Sequence, residues 1–575
     1  MTSAQPQNTY PDQEYEDAHL MTFSTPKVAI PSILPPDVSQ ETFSQAISEF
    51  AHAIGKDNVF IGEGLSHYVD PYDLSEDDAT KRKLPSAAVC PSNVDQVRAV
   101  LAIATKHSIP LWTFSRGKNL GYGGPAPRIN GSVALDLHKM NRIIEVNDEF
   151  SYAVVEPGVT WKDLIDYCNN NGKKVWPSTP SLSWGSVTGN TVDRGTGFGG
   201  NFCHFQNISG LEVLLGDGDV VRTGQFGIDG SPSAFLSKFT YGPSIEGLFL
   251  QSNLGVVTKL SIWLTPQPQA YMECTLTVPL FEDVEPLVDS LGRMRQTGLI
   301  PTCVWVLSRN EIISTLGKRH EFWSGEGAIP EWRLAEIGKQ FGLSYWVARW
   351  AIYGPKRTVQ AQFDDIQEIL AREVPTGTVK GTLFVGKDGE LLKNTDIPAD
   401  NGRLMTGVSS MFSLPFIDWA LPADGTGKGA HGDYAPIIPN SGKLVLEWLQ
   451  ASYKRYEEAG FEPATDFFMH ERHILMVNMF AYNQRDHQQT TNVEKMFLGF
   501  HEDSAARGFG MYRSHVNFMD LIAQHSNFNN YAYTRFVEKI KDAVDPSGIL
   551  SPGKSGIWPQ KYRHLRETPA KNGSE

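Results

Sequence analysis

The chain has 575 residues, 41% of them hydrophobic, with 13 Trp, 30 Phe and 19 Tyr, so it can fill a large core and is not a disordered protein. Its length suits about three to four domains, or two large ones. A formal net charge of -14, with Lys81-Arg82-Lys83 as the only notable basic run, argues against nucleic acid or an anionic membrane as partner.

The N-terminal stretch Met1 to Glu16 is acidic and Pro/Gln-rich where a signal peptide would be basic and then apolar. No apolar run approaches the roughly 18 residues of a membrane span. Five cysteines, Cys90, Cys168, Cys203, Cys274 and Cys303, are odd in number and lack metal-ligand spacing, so they read as reduced thiols and no metal site is expected. Gly573-Ser574-Glu575 carries no peroxisomal address, and an intracellular, cytoplasmic protein is expected.

Residues 1–40 are proline-containing and aperiodic and read as an extended arm. A helix is predicted from Ser39, with Phe43, Ile47 and Phe50 on one face, followed by a strand near Val59. Pro85 to Pro91 reads as a short apolar strand. Ser92, three residues before Asp95, has capping-box spacing for a helix bearing Val94, Val97, Val100 and Leu101. The strand Pro110 to Phe114 completes a βαβ unit, which predicts a parallel pairing with a right-handed crossover.

That last strand runs into Ser115-Arg-Gly-Lys-Asn-Leu-Gly-Tyr-Gly-Gly124. Glycine permits left-handed backbone angles, so successive amides can form a nest around a diphosphate, with Arg116 and Lys118 adding positive charge. No Gly-Lys-Ser/Thr closes the loop ahead of a helix, so it is not a Walker loop. Strands are predicted at Ser132 to Leu137 and Ala153 to Pro157, a helix from about Trp161 to Asn171, and a hairpin around Gly216-Asp-Gly218 within Gly210 to Arg222. Gly195-Thr-Gly-Phe-Gly-Gly200 fits the G-x-G-x-x-G pattern, but Asn201 to Asn207 is no amphipathic helix and a Rossmann site needs one there.

Ile245 to Leu264 passes from a glycine-containing loop into a strand, and Thr265-Pro-Gln-Pro-Gln269 reads as a domain boundary. Strand-plus-helix units then recur to about residue 500, beginning with Cys274 to Val278 and a helix bearing Val284, Leu287, Val288, Leu291 and Met294. Ala420 to Pro436 reads as a long irregular insert holding four glycines and His431. The tail ends in a second glycine/proline loop, Val544 to Gly556, with Lys554.

Seven segments taken together carry a resemblance: Ser115 to Gly124, Val155 to Thr160, Gly185-Ser-Val-Thr-Gly-Asn190, Gln251 to Gly255, Gly429-Ala-His431, Tyr512-Arg513 and Asp545 to Gly556. In this order they resemble the vanillyl-alcohol oxidase family, which shares the p-cresol methylhydroxylase type of FAD domain, from about residue 40 to 562. The resemblance implies an α+β, two-domain flavoprotein. Its divisions would be an arm over 1–40, an FAD-binding domain over 41–270, an inserted α/β cap over 271–506, and a segment over 507–575 that completes the FAD domain.

By the same resemblance FAD is held by Ser115, Arg116, Gly117, Lys118, Asn119, Leu120 and Gly121, by Gly185, Ser186, Gly189 and Asn190, and by Gly255, Val257 and Lys554. It implies a covalent link from His431 to the flavin, which suits a neutral imidazole acting as nucleophile. Tyr434 is the alternative, as the cresol branch links through tyrosine. The family's substrate triad matches Tyr122, Tyr512 and Arg513, which would stabilise a phenolate: a phenol of pKa near 10 can fall by about 1 to 3 units beside a cation. Two departures stand out. Ser181 occupies the place of an aspartate near the flavin in the oxidase branch, and Asp70-Pro-Tyr-Asp-Leu74 lacks a histidine found there.

The implied activity is oxidation of 4-alkylphenols or 4-hydroxybenzylic alcohols through a p-quinone methide, with oxygen reduced to hydrogen peroxide. The alternatives are a cresol-type dehydrogenase passing electrons to a cytochrome or other acceptor, and a non-catalytic flavin-binding protein, which the joint presence of Tyr122, Tyr512 and Arg513 argues against. The resemblance also implies a homo-oligomer, dimeric or larger.

Overall fold

The first β-strands gather into a small sheet whose order is not the order of the chain. In this computed structural model, which describes residues 30–74, 82–182, 184–398, 401–410 and 413–567, β1 (Val59–Phe60), β2 (Ala87–Val89), β3 (Leu111–Phe114) and β4 (Val133–Asp136) lie in the order β1-β2-β4-β3. Of the arm expected over 1–40, residues 1–29, with Met1 to Glu16, lie outside the described residues, as do Lys81 and the terminus Gly573 to Glu575. The βαβ expectation holds for direction but not for adjacency. β4 is buried along its whole length and takes the central place, pairing in parallel with both β2 and β3.

Two helices cover this sheet. Ser39 caps the helix Gln40–Ile54 by accepting from Thr42 N, which leaves Phe43, Ala46, Phe50 and Ile54 on the buried face. The helix Val94–Lys106 is capped by Asn93, one residue later than the spacing of Ser92 suggested. Gln96 is the reason: its Oε1 accepts from both the amide and the hydroxyl of Ser92, freeing Asn93 to cap. Val97, Val100 and Leu101 meet Ala87, Leu111 and Val133 in one core. Each such large apolar side chain contributes roughly 1.5–3 kcal/mol on leaving water.

The open edge of β3 is closed from the far end of the chain. Leu111 N donates to Ile549 O at 2.8 Å, Ser551 N donates to Leu111 O at 2.9 Å, and Thr113 N donates to Ser551 Oγ at 3.0 Å. The tail is held there by Lys541, fully buried, whose Nζ lies 2.7 Å from Asp545 Oδ2 and donates to the carbonyls of Asn253 and Leu550. An unpaired strand edge is thereby removed.

A second sheet is antiparallel, β5 (Ile143–Asn147), β6 (Tyr152–Val155), β8 (Ile208–Leu214), β9 (Val220–Arg222) and β10 (Val256–Trp263), in the order β5-β6-β10-β8-β9. β8 and β9 form the expected hairpin. The helix Trp161–Asn170 begins in a capping box of Thr160 and Asp163 and packs Trp161, Leu164 and Ile165 onto it. β7 (Val175–Trp176) pairs with β11 (Thr265–Pro266). Residues 195–200 lead into a short turn at His204–Asn207, not a phosphate-binding helix, as expected.

The third sheet runs β15-β12-β14-β13-β18-β19-β16, with β17 (Ile437–Pro439) also on β19, and all its pairs are antiparallel. Its strands are β12 (Ala270–Val278), β13 (Val304–Ser308), β14 (Trp346–Gly354), β15 (Thr378–Val385), β16 (Gly429–Tyr434), β18 (Ala464–Met469) and β19 (His473–Asn483). The period of two sorts its faces. Met272, Cys274 and Leu276 meet the helices Val284–Thr297, Lys356–Glu373, Gly442–Ala459 and His487–Arg507. Tyr271, Trp305 and Leu307 turn the other way, onto Trp176 and Phe198.

The insert expected to be irregular contains β16. Gly429 and Gly432 disguise it, yet both are required in the strand: a Cβ on Gly432 would come within 2.5 Å of the Phe480 ring. All five cysteines are buried, unpaired thiols. No helix among the described residues is long and apolar enough to cross a membrane.

Candidate active site

A cavity of about 410 Å³ is walled by the glycine loop, the turn and helix at 180–193, the strand β10 with its preceding loop, His431 from the third sheet and the tail. Of the residues singled out from sequence, Ser115 to Leu120, Tyr122, Ser181, Gly185, Ser186, Gly189, Asn190, Gly255, Val257, His431, Arg513 and Lys554 all lie in its wall. Gly121 and Tyr512 do not.

The loop takes its shape from φ values of 63° at Gly117 and 77° at Gly121. Gly121 is obligatory for a second reason: a Cβ there would lie 2.9 Å from Asp433 Oδ2 and 3.0 Å from His431 Nε2, so its bareness lets the third sheet close onto the loop. Asn119 Nδ2 donates to Asp193 Oδ2 at 3.1 Å, and Lys554 Nζ lies 3.5 Å from Asp193 Oδ1. One carboxylate therefore ties the loop, the end of the helix Val187–Val192 and the tail. Burial, with Arg116 beside it, brings the Lys118 ammonium down to about 7.

Tyr512-Arg513 reaches the cavity because the chain around it pairs with the segment after β16: Ile437 N donates to Gly510 O, and Tyr512 N to Ala435 O, each at 2.8 Å. Arg513 Nε donates to Asp193 O at 2.8 Å, and its guanidinium lies 5.6 Å from the Tyr122 ring centre and 5.0 Å from that of Tyr512. Its Nη2 is buried and has no partner among the described residues. Burial, reinforced by the charge of Asp433, pushes the Tyr122 hydroxyl well above its ordinary value, so it stays a donor.

Tyr512 differs from the expectation of a second hydroxyl aimed at the same oxygen. Its hydroxyl donates to the carbonyl of Arg194, whose φ of 59° turns that oxygen toward it. A single O–H cannot also donate to a ligand.

His431 stands on β16 with its ring 5.0 Å from that of Tyr72 and 6.2 Å from that of Phe416. Burial, opposed by Asp70, brings it down to about 4, so the imidazole is neutral at pH 7. Tyr434, three positions on, faces the opposite side of the sheet, fully buried against Trp448, Phe497 and Phe500, and does not reach the cavity.

Residues 85–224 match the family model "FAD binding domain" and residues 446–555 match "FAD linked oxidases, C-terminal domain". The flavoprotein subunit of 4-cresol dehydrogenase [hydroxylating] from Pseudomonas putida is 31% identical over 530 residues, which is 92% of this chain and 98% of that one. The chain belongs to the vanillyl-alcohol oxidase/p-cresol methylhydroxylase family. It is an FAD-dependent oxidoreductase. The structure of 4-ethylphenol oxidase from Gulosibacter chungangensis superposes with a TM-score of 0.85 at 31% identity, covering 92% of this chain and all (100%) of that one. That of p-cresol methylhydroxylase with substrate bound gives 0.84 at 29%, covering 91% and 99%.

The wall fits the cofactor of this FAD-linked family. Thr113 Oγ1 and Thr188 Oγ1 are buried there without partners among the described residues, and a Cβ on Gly189 would lie 2.2 Å from Ser115 Oγ, so a bare glycine lets the helix Val187–Val192 pack against the start of the glycine loop. Asn190 Oδ1 is held 2.6 Å from His204 Nδ1; burial brings that histidine down to about 3, which keeps it neutral.

Three residues of this neighbourhood escape sequence reasoning. Asp433 and Asp466 are buried carboxyls that burial pushes up to about 7. His515 comes from the tail to meet Asp70, in the segment where the family's oxidase branch carries its own histidine. For Asp433 a signal existed, an acidic residue at period two from His431; for the other two the contacts are long-range and leave no local trace.

Proposed function

We propose that the chain oxidises 4-alkylphenols or 4-hydroxybenzylic alcohols at the benzylic carbon by way of a p-quinone methide, with oxygen as electron acceptor and hydrogen peroxide as product. The observation that carries this reading is the buried Arg513 guanidinium in the cavity wall, with Nη2 unpartnered among the described residues and the Tyr122 ring 5.6 Å away. A fixed cation with an unused donor is a site for an oxyanion, and placed in a water-poor cavity it stabilises charge far more than in solvent. The relatives named for 4-cresol and 4-ethylphenol point to a phenolic oxygen as that anion.

FAD, when bound, supplies the two-electron acceptor. Ser115 to Leu120, Gly185, Ser186, Gly189, Asn190, Gly255, Val257 and Lys554 hold it in this reading, and the neutral His431 imidazole is its covalent anchor. Arg513 and Tyr122 hold the phenolate; ionisation of the ring oxygen pushes electron density toward the para substituent. Tyr512 supports Arg513 from behind. The domain division at about 270 and 506 belongs to the same proposal, supported by the tail segment that bonds along β3. The protein is proposed to act as a homo-oligomer.

Ser181 in the wall gives a second reading some support, a cresol-type dehydrogenase using a cytochrome or other acceptor, since a serine cannot serve as a carboxylate base. Peroxide formed per phenol consumed under air separates the two: near one for an oxidase, near zero for a dehydrogenase. Failure of every para-alkylphenol to bleach the flavin anaerobically would overturn both.

A further inference from the structure

Holding a phenol as its phenolate leaves a proton to be placed. Asp433 follows His431 by two positions on β16, so both side chains leave the strand on the same face. Its Oδ2 lies 3.8 Å from His431 Nε2. A Cβ on Gly121, the residue before Tyr122, would lie 2.9 Å from Asp433 Oδ2, so the carboxylate abuts the glycine loop next to Tyr122, which favours its charged form. Its Oδ1 is buried and accepts no hydrogen bond among the described residues. One carboxylate with unused acceptor capacity therefore stands beside the tyrosine assigned to the phenol.

We propose that Asp433 is a positioning residue that takes up the phenolic proton through Tyr122; the inference rests on the phenol-oxidising reading above. The phenol O–H bond breaks as its proton passes to the Tyr122 oxygen, while the Tyr122 proton passes to Asp433. A neutral phenol and a carboxylate become a phenolate and a carboxylic acid, and Tyr122 ends as it began. The charge of the site is unchanged, so no additional charge is buried, which in a dry cavity would be the dominant cost.

The titratable groups coupled to Asp433 by charge are Tyr122 from the glycine loop, Arg513 from the tail, His431 on its own strand, Asp466 from β18, Tyr456 from the helix Gly442–Ala459, Tyr482 from β19 and Tyr72 from the N-terminal segment. Burial has the largest effect and pushes the carboxyl up to about 7, against Tyr122 and Arg513. An acceptor titrating there exchanges protons readily at neutral pH. Asp466 is the rival, but its Oδ2 already accepts from Trp305 Nε1 at 2.8 Å.

The test uses 4-chlorophenol, which has no benzylic hydrogen and so reports binding without turnover. Its ionisation on the oxidised holoenzyme at pH 8 is read from ultraviolet difference spectra, and the protons released per phenolate formed from titration calorimetry in buffers of different ionisation enthalpy, in wild type and Asp433→Asn. The expected result is phenolate formed with almost no net proton release in wild type, because Asp433 keeps the proton, and about one proton released per phenolate in Asp433→Asn. Equal release in wild type and folded Asp433→Asn overturns the inference and leaves the phenol-oxidising reading intact. Should Asp433→Asn fail to fold, release of a full proton per phenolate by wild type overturns it equally. If wild type binds no phenol at any pH, the underlying reading falls and the inference with it.

Discussion

His515 Nε2 lies 2.8 Å from Asp70 Oδ2, both side chains buried, although 445 positions separate them. The pair joins the N-terminal segment beside Tyr72 to the tail that carries Arg513, and the Asp70 charge is felt at His431. Removing one partner of such a pair strands the other away from water. Asp70→Ala is expected to destabilise the protein by about 3–5 kcal/mol, read from denaturant midpoints at unchanged slope. A loss below about 1 kcal/mol would mean that water reaches the pair.

The proposed covalent anchor gives a second test. His431→Ala is expected to yield protein whose yellow colour passes wholly into the supernatant on acid denaturation, while wild type keeps it in the precipitate. Colour released equally by both would remove the anchor.

The same histidine sets a pH dependence in the protein without FAD. Its folded value is lowered from 6.5 to about 4 by burial, so the unfolded chain binds the proton more tightly and stability falls as pH drops from about 6.5 toward 4. His431→Gln is expected to flatten that part of the stability curve. An unchanged slope would show that His431 is hydrated in the folded protein.

Closure of β3 by the tail makes a structural prediction. Lys541→Met leaves Asp545 buried without its cation and is expected to cost about 3–5 kcal/mol. Double replacement, Lys541→Met with Asp545→Asn, is expected to recover part of that loss, because the uncompensated charge is gone. Equal losses in the single and double variants would contradict this.

What the sequence discloses about this fold is its local chemistry. Ser39 marks a helix start because a cap needs only three residues of context. The glycine loop is legible because its φ values demand glycine, and His431 and Arg513 because they stand in short family motifs. The place of β4 between β2 and β3 is not legible, since a strand buried on both faces has the same composition wherever it is inserted. β16 is hidden by two glycines that close packing requires. The direction of Tyr512 depends on the left-handed backbone of Arg194, more than 300 positions earlier, and no spacing announces it.

The central claim is that Arg513 ionises the substrate by a charge held at the cavity, and rapid anaerobic mixing of holoenzyme with 4-ethylphenol tests it most directly. Wild-type flavin absorbance should bleach, and Arg513→Ala should slow that reduction by about 10²–10³-fold with the far-ultraviolet spectrum unchanged. Arg513→Lys should recover little, because an ammonium lacks the planar fork that bonds Asp193 O through Nε while keeping Nη2 as a further donor without a partner among the described residues. Equal reduction rates in wild type and Arg513→Ala would contradict the claim.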